Sequence, residues 1–218
     1  IEDLNRGNSP AIFGEIFQLL DRKDDEEEFS AEEIGESEYG ISNYDVANEV
    51  YGNENHFVKI PSNMFILATM NTADQNVFTL DTAFQRRWNM KQIENNFDSA
   101  NHSKSTIAGT KLSWGAFATV INDLVVDINV DMASSEDKRL GAYFAKKKEL
   151  EVTRFPEKVL KYLWDDAFKM DKVAIFRDEY KSLEDVVTAY ENSTADKLAT
   201  VLRLDVYNKM LAKMQMDK

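Results

Sequence analysis

The chain has 218 residues, 43% of them hydrophobic, a formal net charge of −13, two histidines and no cysteine. That is enough apolar material for one sizeable core or two small ones, and the lack of cysteine excludes a disulfide framework or a thiolate metal site. The acidic balance argues against a broad DNA-binding face. No segment has the apolar length of a membrane span or the pattern of a signal peptide, so a soluble cytoplasmic protein without membrane contact is expected.

Taken in chain order, Ile1-Glu2-Asp3-Leu4-Asn5-Arg6-Gly7-Asn8 sets two adjacent carboxylates directly after an apolar residue. At the end of a buried strand, one carboxylate can hold a Mg²⁺ hydration shell while its neighbour orients a water. Phosphoryl transfer needs both tasks done. Ser9-Pro10 opens a helix, with Ser as cap and Pro tolerated in the first turn. Ile12, Phe13, Ile16, Phe17, Leu19 and Leu20 then recur at helical spacing and are expected to cover a sheet. Residues 21–56 follow as an acidic insertion with thirteen Asp and Glu against two Lys and Arg. It reads as a solvated surface excursion without a specific role, or as a docking surface for a basic partner. Ile41–Tyr51 within it has the pattern of a short returning helix.

Met64-Phe65-Ile66-Leu67-Ala68-Thr69-Met70 is apolar except for Thr69 and ends abruptly in Asn71-Thr72-Ala73-Asp74. Such a run predicts a strand buried on both faces. In a parallel sheet covered by helices, ligands bind beyond the carboxyl ends of the strands, where Asn71 and Asp74 would lie. A strand followed by an ordinary polar turn is the plainer alternative. Leu80-Asp81-Thr82-Ala83-Phe84-Gln85-Arg86-Arg87-Trp88 then places two adjacent arginines on a short amphipathic segment. They are a possible source of a guanidinium for a γ-phosphate, or a pair of surface arginines bonded to nearby carboxylates. Asn89–Ile93 alternates as a half-buried strand would.

From Phe97 onward the pattern turns helical. Helices are expected over Ala116–Ile128, from Phe155-Pro156-Glu157, from Ser182-Leu183-Glu184-Asp185, and from Thr194-Ala195-Asp196 to the end. The expected organisation is therefore a region at 1–96 carrying the insertion 21–56, followed by an all-helical lid domain at 97–218. His56 and His102 lie in polar, loop-like settings and are expected to be solvated.

The segments Ile1–Asn8, Met70–Asp74 and Asp81–Trp88, in this order, resemble the McrB-like GTPase subfamily of the AAA+ NTPases, the motor subunits of modification-dependent restriction systems. Phe13-Gly14-Glu15 and Ile93-Glu94…Phe97-Asp98 match the same pattern, and Leu140-Gly141-Ala142-Tyr143-Phe144 matches it more loosely. The detailed resemblance covers residues 1–98. It implies an α/β fold, a partial AAA+ P-loop NTPase core whose parallel sheet lacks its first strands. By resemblance Glu2 is the Mg²⁺-side residue of a Walker B motif and Asp3 the residue that polarises the attacking water. Asn71 is the sensor amide and Asp74 completes its motif, with an Asx turn as the structural alternative. Arg86 and Arg87 match an arginine finger that reaches the nucleotide of a neighbouring subunit.

The same resemblance implies GTP or ATP as substrate, Mg²⁺ as cofactor, and a homo-oligomeric ring with a hexamer as the expected size. It also implies an McrC-like endonuclease subunit as partner and DNA contact through an upstream domain. Two positions depart from the pattern: Asp3 stands where most relatives carry the longer Glu, and Gln75 where many carry Arg. No Gly-x-x-x-x-Gly-Lys-Ser/Thr loop occurs. The sequence is therefore expected to be the carboxy-terminal part of a longer protein, unable by itself to bind or hydrolyse nucleotide. The competing readings are a MoxR-type chaperone ATPase and a degenerate, non-enzymatic assembly module.

Overall fold

The computed structural model describes residues 1–71, 77–128 and 138–216. The chain divides into two compact units, Ile1–Gln92 and Ile93–Lys218.

In the first unit Asn8 caps helix α1 (Ser9–Phe13), its side chain accepting from the Ala11 N–H at 3.3 Å. Gly14 ends α1 at φ 51°, a conformation costly for other residues, and a 3₁₀ segment carries on through Gly14–Leu20. Leu19 and Leu20 are buried, but Ile12 and Ile16 are exposed. The excursion returns through helix α2 (Tyr44–Tyr51), capped by Asn43 and closed by Gly52 at φ 65°. Helix α3 (Thr82–Gln85) is capped by Asp81, which accepts from the Phe84 N–H at 2.7 Å. Phe84 is fully buried and meets Phe13, Phe17 and Trp88. With Leu4, Leu19, Leu20, Ile41 and Ile60 it forms the small core of this unit.

The parallel sheet expected from the sequence is not formed. Among the described residues there are only isolated β-bridges, such as Ile41 with Val58, and no strand. The reason is a shortage of partners. Met64–Met70 runs beside Ile1–Leu4, joined by the bonds Ile1 N–H to Leu67 O, Thr69 N–H to Ile1 O and Leu4 N–H to Thr69 O. An extended segment bonded along one edge for two or three residues is not a sheet, which requires further strands and a covered face. Ile66, Ala68 and Met70 pack on the core, while Phe65 and Leu67 point away and are each 82% exposed. Asn89–Ile93, the second expected strand, has no ladder, and Met90 and Ile93 are exposed.

The second unit is helical. Helix α4 (Trp114–Ile128) carries Phe117, Val120, Ile121 and Val125 into the interior. The segment opened by Pro156 is wound as two π-helical turns, Pro156–Leu160 and Leu163–Ala167, rather than as one α-helix. Ser182 and Asp185 form a reciprocal cap at the start of α5 (Leu183–Asn192). Asp196 caps α6 (Lys197–Val201), and the chain straightens at Leu202 before α7 (Leu204–Met216). The expected single last helix is thus two. Leu202 bridges Phe176, and the Arg203 N–H donates to the Ile175 carbonyl at 2.9 Å, so backbone pairing interrupts the helix.

Candidate functional site

Glu2 and Asp3 lie at the end of the short pairing between Ile1–Leu4 and Leu67–Thr69, and both are exposed. Asp3 adopts the left-handed conformation at φ 51°, which Asp tolerates better than most residues. Its backbone N–H donates to the Thr69 hydroxyl at 3.3 Å, and its carboxylate stands 3.8 Å from the Arg6 guanidinium. The turn at Asp3 sends Leu4–Arg6 into a 3₁₀ turn beneath the site.

Asn71 follows Met70 and is exposed. The buried Asn5 holds it from below, its amide donating to the Asn71 carbonyl at 2.7 Å, while the Asn5 carbonyl accepts from the Phe78 N–H at 2.8 Å. Asn5 therefore ties the carboxylate segment to Asn71 and to Phe78. Sequence reasoning gave Asn5 no role; an amide directly after the acidic pair and its apolar neighbour was the available signal. These bonds pair Ile1–Asn5 with Leu67–Asn71 and bring the Asp3 N–H to Thr69. Asp74, together with Gln75, lies outside the described residues.

The two arginines have different surroundings. Arg86 is exposed at the carboxyl end of α3, without a side-chain hydrogen bond or ion pair among the described residues. The Arg87 side chain is only 9% exposed. It donates to Asp21 Oδ2 at 2.5 Å and to the Ala83 carbonyl at 2.7 Å, and its guanidinium lies 4.2 Å from the Phe17 ring centroid. Arg87 takes the carboxylate-bonded alternative; Arg86 does not.

The acidic excursion is anchored at its foot. Arg22 donates to the carbonyls of Gly35, Ile60, Pro61 and Met64, which fixes the chain as it enters the central run. Lys23, nearly buried, bonds Glu33 at 2.6 Å and stands 3.4 Å from Glu36, which also meets Lys59. Lys23 and Ser30 hold the Glu33 carboxyl down at about 2, while for Glu36 desolvation, which raises it, is outweighed by Lys59 and Lys23 together, so it too lies below its ordinary range. The run Asp24–Glu28 remains exposed.

In the second unit the backbone of Leu140–Ala142 is gripped by two amides. Asn122 accepts from the Leu140 N–H at 2.6 Å and donates to its carbonyl at 2.9 Å. Asn95 donates to the same carbonyl at 2.7 Å and accepts from the Ala142 N–H at 3.1 Å. Trp114 closes the arrangement by donating to the Ala142 carbonyl at 2.8 Å, and Tyr143 next to it is exposed. His102 is less free than expected, its Nε2 lying 2.7 Å from the Ala145 carbonyl. Among the described residues no group of three or more His, Cys, Asp or Glu is placed to hold a metal, and no helix is long and apolar enough to cross a membrane.

No protein-family model matches the chain, and no solved structure matches it. Two curated proteins do. The chain is 36% identical over 206 residues to the type II restriction enzyme BsuMI component YdiS of Bacillus subtilis (strain 168), a match covering 88% of this chain and 55% of YdiS. It is 29% identical over 99 residues to the type IV methyl-directed restriction enzyme EcoKMcrB subunit of Escherichia coli (strain K12), covering 45% of this chain and 18% of that subunit. The chain thus spans about half the length of YdiS and a smaller part of the EcoKMcrB subunit. The chain is thus similar to two restriction-system proteins, one of them an McrB subunit.

Proposed function

We propose that the chain supplies the hydrolytic and subunit-contact part of a nucleoside-triphosphatase subunit in a restriction complex. The observation that carries this reading is the junction of the first and central segments. Three backbone bonds between Ile1–Leu4 and Leu67–Thr69, with the Asn5 amide bond to the Asn71 carbonyl, hold the segment that bears Glu2 and Asp3 against the segment that ends in Asn71, and all three residues are exposed. In this reading Asp3 orients and polarises the attacking water, and the Asn71 amide bonds that water and the terminal phosphate. An arginine from a neighbouring subunit neutralises the developing charge. Catalysis of this kind is mostly positioning and electrostatic stabilisation.

The residues present fit Mg²⁺. That ion takes hard oxygen ligands and is bound through one or two carboxylates, waters and substrate phosphates, so it needs no three-carboxylate cage. Glu2 would hold it through its exposed carboxylate, and the ion would supply charge neutralisation at the phosphates. GTP is the preferred substrate by resemblance, with ATP the alternative. The relatives' printed names, both of restriction enzymes, support a place within a restriction complex; a partner endonuclease of the McrC kind, a homo-oligomeric ring and DNA recognition outside these residues are what the resemblance implies.

The test is hydrolysis by the full-length protein with Asp3→Asn, Glu2→Gln and Asn71→Ala. Asp3→Asn is expected to lower turnover by about 10²–10⁴, the usual contribution of a positioned base, with triphosphate affinity largely kept. Turnover within threefold of the parent in all three variants would sink the reading. Calorimetric titration of the 218-residue chain with Mg²⁺-GTP gives a second check. No binding in the micromolar range is expected, because no phosphate-cradling Gly-rich loop is present in this sequence.

A further inference from the structure

The geometry points to a division of labour between the adjacent arginines: Arg86 is the residue that meets the triphosphate, and Arg87 is a positioning residue clamped by Asp21. This rests on the function proposed above and assigns different tasks to two residues that the sequence pattern treats alike.

Arg87 is committed on three sides. One terminal nitrogen is bonded to Asp21 and the other to the Ala83 carbonyl, while Phe17 covers the guanidinium plane. Its Nε is buried as well, without a hydrogen-bond partner. To reach a phosphate, Arg87 would have to leave a partly buried ion pair and strand the Asp21 carboxylate, whose side chain is only 25% exposed. Arg86, one residue earlier, faces outward from the last turn of α3 with its guanidinium unengaged among the described residues. Its direction is set by that turn, because the Arg86 N–H donates to the Thr82 carbonyl and the Arg87 N–H to the Phe84 carbonyl. Anchoring Arg87 therefore fixes the backbone from which Arg86 projects.

Asp21 gives the acidic excursion a task. It is the first residue of residues 21–56, and its carbonyl accepts from the Glu38 N–H at 2.9 Å. The foot of the excursion thereby braces Asp21, Asp21 braces Arg87, and Arg87 braces the turn bearing Arg86. A solvated insertion with no role would leave the arginine element indifferent to Asp21.

The experiment uses the full-length protein carrying Arg86→Ala, Arg87→Ala, Asp21→Asn, the Asp21→Asn and Arg87→Ala pair together, and Asp3→Asn as reference. Turnover, KM and thermal midpoint are measured for each. Arg86→Ala is expected to lower turnover about 10³-fold or more, as loss of an arginine supplied in trans does, with the midpoint unchanged. Arg87→Ala and Asp21→Asn are expected to lower the midpoint. Assayed well below that midpoint, they should also lower kcat by up to about 10²-fold, the effect of misplacing a catalytic group by about an ångström, with KM kept. The double variant should be no worse than Arg87→Ala alone, because both changes open the same clamp. Exchanging the charges with Asp21→Arg and Arg87→Asp covers the case in which a single variant fails to fold, and should recover part of the midpoint. A kcat unaffected by Asp21→Asn, or a larger kcat loss for Arg87→Ala than for Arg86→Ala, overturns the division of labour. If Asp3→Asn is also silent, the proposed function itself has failed; if Asp3→Asn abolishes turnover, only the assignment of the arginines has.

Discussion

The unit Ile93–Lys218 closes on itself, gathering Trp114, Phe117, Phe155, Phe176 and Tyr190 into one continuous buried cluster, whereas the unit Ile1–Gln92 leaves Phe65 and Leu67 each 82% exposed in its most apolar run. The difference follows from how helices and extended segments satisfy their backbones. A helix bonds itself and needs a neighbour only for its apolar stripe, so α4 and α7 can bury theirs against each other and α5 its own against α6. An extended run needs partners along both edges and cover on both faces. Met64–Met70 has Ile1–Leu4 on one edge and a core on one face. Its sequence is apolar on both faces; its surroundings are not.

The sharpest test sets one unit against the other. Phe155→Ala removes a fully buried ring that meets Phe117 and Tyr190, and should destabilise the second unit by about 3–5 kcal/mol. Phe65→Ser, at a position open to water, should change stability by no more than about 0.5 kcal/mol. Urea unfolding followed by tryptophan fluorescence measures both. A large loss for Phe65→Ser would mean that this face is covered in solution, and the contrast would disappear.

Buried polar anchors give the next effect in size. Asn122→Ala leaves the Leu140 N–H without its partner and removes one of two donors to the Leu140 carbonyl. A loss of about 1–3 kcal/mol is expected. Faster amide exchange should be confined to Leu140–Ala142, since Asn95 and Trp114 still hold the neighbouring groups. Exchange rising throughout the second unit would make the clamp part of the core rather than a local fastening. A helix cap is worth less. Ser182→Ala removes the bond to the Asp185 N–H and should cost about 1 kcal/mol at the start of α5.

Helix positions in the second unit could be read from the sequence because their signals are local. Ser182 with Asp185 and the 3.6-residue spacing of Phe117, Val120, Ile121 and Val125 are fixed by the helix itself. The break at Leu202 was not legible, because pairing with the distant Phe176 decides it, and no local signal marked the π-helical turns after Pro156. In the first unit the apolar run was visible, but a strand is a property of at least two segments, and the run could not reveal how few partners it has. Asn5 escaped for a related reason: its role depends on Asn71, distant in sequence. The arginine pair was visible as a pair; its division depends on Asp21, the same distance away along the chain.

The smallest expected effect concerns the foot of the excursion and separates its anchored part from the solvated run at Asp24–Glu28. Hydrogen bonding to Lys23, then to the Ser30 hydroxyl and backbone, lowers the Glu33 carboxyl from 4.5 to about 2. A carboxyl held lower in the folded state than in the unfolded one stabilises the fold above its unfolded value. That contribution is lost as the pH falls through the folded value. Ordering of the excursion should therefore be complete above about 4.5 and decline between there and about 2. The same contact raises the ammonium of Lys23, so both partners stay charged across the neutral range. Carboxyl-carbon NMR of the intact chain should show Glu33 titrating near 2, accompanied by shifts at Lys23 and Gly35, whose N–H donates to the Lys23 carbonyl at 2.8 Å. In Glu33→Gln the acid-dependent shift at Gly35 should shrink, leaving what Glu36 contributes. A Glu33 midpoint close to 4.5 would mean that Lys23 does not hold it in solution. Residues 21–56 would then join the rest of the acidic run as a solvated surface, and the brace behind Asp21 would lose its support.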